Sequence, residues 1–330
     1  MATVGISPGC WSLKDARNAV MGGDWPTTPM KPLKAILAYG YLSISFTGNT
    51  NSSAKINTQG DLETMSASAG TARAYGAGCS YGGDKGIMGL GYTSSAVNIT
   101  NLVSNLGVIA GDNSGVGTAR SYSAAASYGT DKGIFGFGYT AAAAFVSVTN
   151  LVSNAGVLAS DTSNSNATRY GAGAVSYGLD KAIFGYGLNS SGAAIATITK
   201  VSNAGVLASD ETSANTAKHY PAAAPYGNGL GMFFSGSPAS GTTRYRLISK
   251  ISYEGDVITD EYVANCGRSS ATGVGYGGDK GFIYGGDLGV GYSDFYTKIS
   301  NLGIFSSDTF GPYSSYGRYG GMATGYSFSA

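Results

Sequence analysis

The sequence predicts an all-β protein: a six-bladed β-propeller of four-stranded blades, with a short N-terminal extension. Three observations predict it. The motif KGIFGFG, Lys132 to Gly138, has close copies opening at Lys34, Lys85, Lys181 and Lys280 and a divergent one at Leu230. That is a period of about 50 residues, the spacing of propeller-type repeats. Each repeat divides into four short runs separated by turn residues. One repeat is split between the two ends of the chain.

The repeat beginning at Ser121 shows the elements in order. SYSAAASY reads as strand a, followed by a Gly-Thr-Asp turn and KGIFGFGY as strand b. A loop of small residues leads to FVSVTNLV, strand c, and a Ser-Asn-Ala-Gly turn leads to GVLASD, strand d. Alternation along strand b puts Phe135, Phe137 and Tyr139 on one face and Ile134, Gly136 and Gly138 on the other. The large face of one blade then fills the space left by the small face of the next.

Other landmarks keep the same phase. A glycine closes the c–d turn at Gly60, Gly107, Gly156, Gly205, Gly255 and Gly303, where a tight hairpin needs positive φ. A basic residue stands at Arg73, Arg120, Arg169, Lys218, Arg268 and Arg318. Further along each repeat comes a tyrosine: Tyr81, Tyr128, Tyr177, Tyr226, Tyr276 and Tyr326. Six recurrences make these tyrosines inter-blade packing residues.

The ends fix the count. The repeat at Lys34 has strands b, c and d but no strand a, and the C-terminal YGGMATGYS, Tyr319 to Ser327, matches strand a. The C-terminus therefore completes the first blade, which closes the ring and removes an open edge. The domains are residues 1–30, an anchoring segment, and 31–330, the propeller.

Composition narrows the function. Charged residues are 12% of the chain and the net charge is +1, which argues against an electrostatic nucleic-acid partner. No apolar run reaches the length of a membrane span, so no membrane insertion is expected. The first residues lack a signal-peptide core. Three unpatterned cysteines, Cys10, Cys79 and Cys266, read as reduced, packed thiols of a protein made in a cytosol.

The unit resembles a kelch repeat: a basic residue, a small-residue strand, an aliphatic strand ending near glycines, then two more strands. Residues 31–328 fit. The kelch glycine doublet survives best at Gly285-Gly286, and the usual tryptophan of strand d is absent. The form Y-G-x-D-K-G-I-F-G-F-G is similar to repeats of bacteriophage virion and tail proteins. Pro8 to Thr28, PGCWSLKDARNAVMGGDWPTT, resembles a short module of phage tail-associated proteins, with Trp11, Leu13, Trp25 and Pro26 as its W-S-L and W-P marks. These resemblances imply a virion component made in the bacterial host cytoplasm and present in multiple copies per particle. They imply attachment to other tail proteins through residues 1–30, and a host-surface glycan or protein as a further partner.

Chemistry is thinly provided. His219 is the one histidine, which removes multi-histidine metal centres and favours a structural role over catalysis. Asp84, Asp131, Asp180 and Asp279 precede strand b and read as turn residues; single carboxylates beside lysines make poor calcium ligands. Asp112, Asp161, Asp210, Asp260 and Asp308 end strands d, eight residues before the next basic residue, or ten for Asp308, and read as loop bracing or as weak surface ion pairs. No cofactor, metal or catalytic set emerges, and no enzymatic activity is expected. The two divergent repeats supply the candidate interface residues Phe233, Arg244, Tyr245, Arg246 and Tyr292, since aromatic and arginine side chains are favoured anchors. The expected function is a structural virion protein, a tail-fibre, tail-tip or adaptor component. A carbohydrate-binding receptor propeller is the alternative, and a polysaccharide depolymerase a remoter one.

Overall fold

Short runs of small and β-branched residues, closed by turns that demand positive φ, give strands and no helix among the described residues. The computed structural model describes residues 32–43, 48–240, 242–264, 267–311 and 317–326. Among them are six four-stranded antiparallel sheets, one for each repeat, and two smaller ribbons.

In the second repeat strands a to d are Ala77–Tyr81, Lys85–Gly89, Ile99–Val103 and Asn113–Ser114, in that order across the sheet. The fourth repeat follows with Gly173–Tyr177, Lys181–Gly185, Thr197–Val201 and Glu211–Thr212. The fifth has Ala222–Tyr226, Leu230–Phe234, Leu247–Ile251 and Glu261–Tyr262. The sixth has Thr272–Tyr276, Lys280–Tyr284, Phe295–Ile299 and Thr309–Phe310. The third pairs Ala124–Tyr128, Lys132–Thr140 and Phe145–Val152, with Arg120–Ser121 joined to the far end of strand b.

The first repeat takes its strand a from the other end of the chain. Met322–Tyr326 pairs antiparallel with Lys34–Ala38, with Lys34 opposite Tyr326 and Ile36 opposite Thr324. Ser52–Ile56 and Ser66–Ala67 complete that sheet. Strands a of successive repeats touch one another, and Met322–Tyr326 touches both Thr272–Tyr276 and Ala77–Tyr81.

Strand d differs from the expectation of GVLASD. In the third repeat Leu158 bridges Val152 and Thr162 bridges Thr149, with Ser160 and Asp161 outside the ladder. The carboxylate of Asp161 is drawn instead toward the buried Arg120.

The alternation expected along strand b is also corrected. Phe137 has a φ of 60°, and the register slips between Gly136 and Gly138, a β-bulge. The bulge turns Phe137 to the face of Ile134, where it packs with Phe184 and Val201; Phe135 packs with Ile87, Leu90 and Val152. Tyr39, Leu90, Tyr186 and Ser235 repeat this left-handed conformation at the same place. The following basic residue covers several of these side chains: Arg73 lies 4.2 Å from the Tyr39 ring and Arg169 4.0 Å from that of Phe137, within cation–π range.

The joints between sheets match in size, as the sequence predicts. A Cβ at Gly89 would meet the Phe135 ring at 3.3 Å, one at Gly136 the Phe184 ring at 2.9 Å, and one at Gly185 the Phe233 ring at 2.7 Å. Where the glycine becomes Phe234, the residue packed beside it shrinks to Ile283. Tyr284 packs with Leu37, and Ala38 with Met88. The recurrent tyrosines form a second set of joints. Tyr81 lies against Gly156, Tyr128 against Gly205, Tyr177 against Gly255, Tyr226 against Gly303, Tyr276 against Gly60 and Tyr326 against Gly107. These glycines thus serve both the turn, at φ of 69° to 87°, and a ring that leaves no room for a side chain.

Candidate functional site

Each sheet encloses its opening basic residue. Arg73, Arg120, Arg169, Lys218, Arg268 and Arg318 are at most 2% exposed, a burial made tolerable by the hydrogen bonds their side chains donate. Arg120 Nε donates to the carbonyl of Phe137 at 2.9 Å and Nη1 to that of Thr118 at 3.1 Å. Nη2 donates to Asn150 Oδ1 at 2.5 Å. Asn150 donates onward to Asp161 at 2.8 Å, and Asp161 also accepts from the amide and hydroxyl of Thr118. The relay recurs as Arg73–Asn101–Asp112, Arg169–Thr199–Asp210, Lys218–Ser249–Asp260 and Arg268–Thr297–Asp308. In the first repeat Met65 stands in the aspartate's place, and Arg318 donates to Ser52.

These acids do brace loops, as expected, but each serves the basic residue of its own repeat. The contact is a largely buried ion pair rather than a surface one. Burial opposes ionisation of Asp161. Hydrogen bonds from Thr118 and Asn150 and the charge of Arg120 outweigh it, and hold the carboxyl below the usual carboxylate range.

Anchored this way, the residue two beyond each basic position is fixed in the left-handed region. Tyr75, Tyr122, Gly171, Tyr220, Ser270 and Gly320 have φ between 52° and 65°. Their backbones form a circuit. Tyr75 donates to Gly320, Tyr122 to Tyr75, Gly171 to Tyr122, Tyr220 to Gly171, Ser270 to Tyr220 and Gly320 to Ser270, at 2.6 to 3.0 Å. A left-handed tyrosine is uncommon and persists where the surroundings over-determine it. Tyr75 and Tyr122 stack at 4.2 Å, and Tyr292 and Tyr319 at 4.1 Å with planes 6° apart.

Beside this circuit lies a polar cleft of about 300 Å³. His219, Ser237, Ser240, Arg244, Asp287 and Tyr292 line it, together with the circuit tyrosines. Arg244 Nη2 lies 2.6 Å from Asp287 Oδ2, and Arg244 Nε donates to the Asp287 carbonyl at 3.2 Å. His219 is 8% exposed. Its Nδ1 is 3.0 Å from the Ser237 carbonyl, which can only accept, so Nδ1 carries the proton. Burial foremost, with the charge of Arg244, lowers the His219 pKa to about 4 against the pull of that carbonyl. The histidine is therefore a neutral structural group at pH 7.

Of the residues expected at an interface, the structure brings Arg244 and Tyr292 together in this cleft. Phe233 is fully buried and fills the joint at Gly185, so it is a core residue and not a surface anchor. Tyr245 is half-buried and bonded through its backbone to Gly236 and Ser235. Arg246 is exposed and donates to the Ala264 carbonyl. Trp11, Leu13, Trp25, Pro26, Cys10 and Cys266 lie outside the described residues. Asp287 and the circuit tyrosines were not legible as site residues; the shared offset of two from each basic residue is the signal that finds the circuit.

The turn aspartates do turn work. The carbonyls of Asp131, Asp180 and Asp279 accept from Gly82, Gly129 and Gly227 of the preceding repeat, and each carboxylate pairs with the lysine beside it. Leu33 takes the equivalent place in the first repeat, accepting from Gly277. Among the described residues no three His, Cys, Asp or Glu side chains group as metal ligands. Cys79 is buried, with its thiol pushed up to about 12 by burial. A second space of about 180 Å³ runs between strands a, lined by small groups such as Gly78, Ser80, Ser127 and Ser176. Ser127 and Ser176 bond backbone carbonyls there.

No family model and no curated protein sequence matches the chain.

Proposed function

We propose that the chain is a closed six-bladed β-propeller, and that it serves as a non-enzymatic attachment head or adaptor in the virion of a tailed phage. Closure is supported by two sets of contacts that run through all six repeats and return to the first, the backbone circuit and the tyrosine–glycine joints, and by the pairing of Met322–Tyr326 with Lys34–Ala38. The phage assignment is supported by the resemblance of Pro8–Thr28 and of the repeat itself to tail-protein sequences.

The observation that carries the reading is an opposition of ends. Pro32 and Leu33 accept hydrogen bonds from Gly278 and Gly277 at the a–b turns, so the described part of the chain begins at that end of the sheets. The cleft with Arg244, Asp287 and Tyr292 sits at the other end, beside the starts of strands a. An anchor on one end and a polar, aromatic surface on the other suit a particle-bound protein that faces outward. His219, buried and neutral, is itself poorly suited to acid–base catalysis at pH 7.

Deletion of residues 1–30 tests this. The truncated protein should keep its melting temperature and fail to enter particles. Normal incorporation of the truncated protein would overturn the proposed role.

A further inference from the structure

The cleft has a chemistry of its own. We infer that it binds one or two pyranose units of an uncharged glycan, an inference that rests on the reading of the chain as an attachment head. Its volume of about 300 Å³ stands at the small end of ligand sites, roughly 300–1,000 Å³, which suits a mono- or disaccharide.

Charge selects against ions. Arg244 and Asp287 neutralise one another at 2.6 Å. A phosphate or carboxylate entering the cleft meets the carboxylate of Asp287, and a cation meets the guanidinium. A polyol is indifferent to net charge and needs donors and acceptors side by side. The cleft offers both. Ser237 and Ser240 supply hydroxyls that donate or accept. Asp287 is held by the Gly289 amide at 2.7 Å and by Arg244, and a carboxylate has about four acceptor sites. Neutral His219 accepts the Ser237 hydroxyl hydrogen at Nε2, 3.4 Å away, which leaves the Ser237 oxygen as an acceptor.

Shape adds an apolar plane. Tyr292 is 41% exposed at the cleft, and its parallel stack on Tyr319 fixes the orientation of the ring. A flat aromatic surface held beside hydroxyl-directed groups matches a pyranose, which has an apolar C–H face and a polar rim. An apolar protein partner would find few apolar atoms there.

Among the described residues the Arg244–Asp287 pair does not follow the six-fold pattern. Arg244 and Asp287 come from the two divergent repeats, where SGSPASGTTRYR and GGDLGVGYSD replace the small-residue loops of repeats two to four. The sequence departs from its period at the residues that build the cleft.

The test uses the full chain, with maltose, lactose and mannobiose as neutral probes, and sialyllactose and glucose 6-phosphate as anionic ones. Titration calorimetry or ligand-observed NMR reads binding, and melting temperature reads folding. At least one neutral probe should bind more tightly than both anionic ones. Tyr292→Ala and Asp287→Asn should weaken that binding at least tenfold, with Tyr292→Phe close to the wild type. Since Tyr292 is exposed, its variants should fold normally. Absence of binding to every neutral probe at millimolar concentration would overturn the inference, as would unchanged affinity in Tyr292→Ala. The two proposals fail separately. If no saccharide binds while deletion of residues 1–30 still blocks incorporation, only the glycan site falls. If a saccharide binds while the deleted protein enters particles normally, only the anchoring role falls.

Discussion

The backbone amide of Tyr75 donates to the carbonyl of Gly320 at 2.7 Å, tying the opening of the second repeat to the last segment of the chain. This bond completes the six-membered backbone circuit, and each member of the circuit is left-handed. Gly320 has φ of 60°, and a Cβ there would meet the Tyr75 ring at 2.6 Å. Gly320→Val should therefore lower stability by at least about 2 kcal/mol. Ser270, at φ of 53°, holds the same conformation without glycine. Ser270→Gly relieves left-handed strain and adds chain entropy in the unfolded state, and should change stability by no more than about 1 kcal/mol. Chemical denaturation of the two variants measures the contrast.

The size match at the joints predicts coupling. A Cβ at Gly185 would lie 2.7 Å from the Phe233 ring and 2.9 Å from Ile198, so Gly185→Val should cost about 2–3 kcal/mol. Ser163→Val, in an exposed loop, should stay within about 0.5 kcal/mol. Adding Phe233→Ile to Gly185→Val should recover about 1 kcal/mol or more, because Phe234 already packs beside Ile283 at the next joint. A double-mutant cycle reads that coupling directly.

Removing one aspartate isolates the value of the buried relay. Asp161→Ala leaves Arg120, which is fully buried, without its carboxylate. It should destabilise by about 3 kcal/mol, the lower end of the range for broken buried pairs. Asp161→Asn keeps an acceptor for Thr118 and should cost less. The folded-state pKa of Asp161 is depressed, so its contribution is present above the usual carboxylate range and is lost as pH falls through the folded pKa. The gap between wild type and Asp161→Ala should therefore close in acid.

His219 gives a separate acid response. Its pKa falls from 6.5 to about 4 on folding, so the protonated form is disfavoured in the folded protein. The stability contribution is intact above pH 6.5 and declines as pH drops toward 4, by about 3 kcal/mol at about 1.4 kcal/mol per unit. His219→Asn keeps a donor for the Ser237 carbonyl and cannot titrate. Its stability should be flatter than wild type over that window in pH-dependent denaturation.

Much of the scaffold was legible because it repeats. Lys34, Lys85, Lys132, Lys181 and Lys280 mark strand b, and Arg318 with Tyr326 marks the displaced strand a, since spacing survives where identity drifts. Phe137 escaped because a bulge turns on φ and not on residue type. The partner of Arg120 escaped because Asp161 is distant in sequence and the nearer Asp112 serves Arg73. The circuit escaped because Tyr75, Gly171 and Ser270 share a backbone conformation and no side-chain chemistry. In the cleft, Arg244 and Tyr292 stood out by breaking the period, whereas Asp287 and His219 acquire meaning only through the neighbours that folding brings.

The central claim is that the two ends of the repeat meet in one sheet and close the ring. Lys34 and Tyr326 face each other where other repeats have a three-residue a–b turn. A circular permutant tests this directly. It joins Tyr326 to Lys34 through Gly-Gly-Asp and opens the chain between Ala141 and Ala142, in an exposed loop. Thermal unfolding should show one cooperative transition, with a melting temperature at or above that of the parent. A permutant that fails to fold, or that unfolds in two separate steps while the parent unfolds in one, would contradict closure.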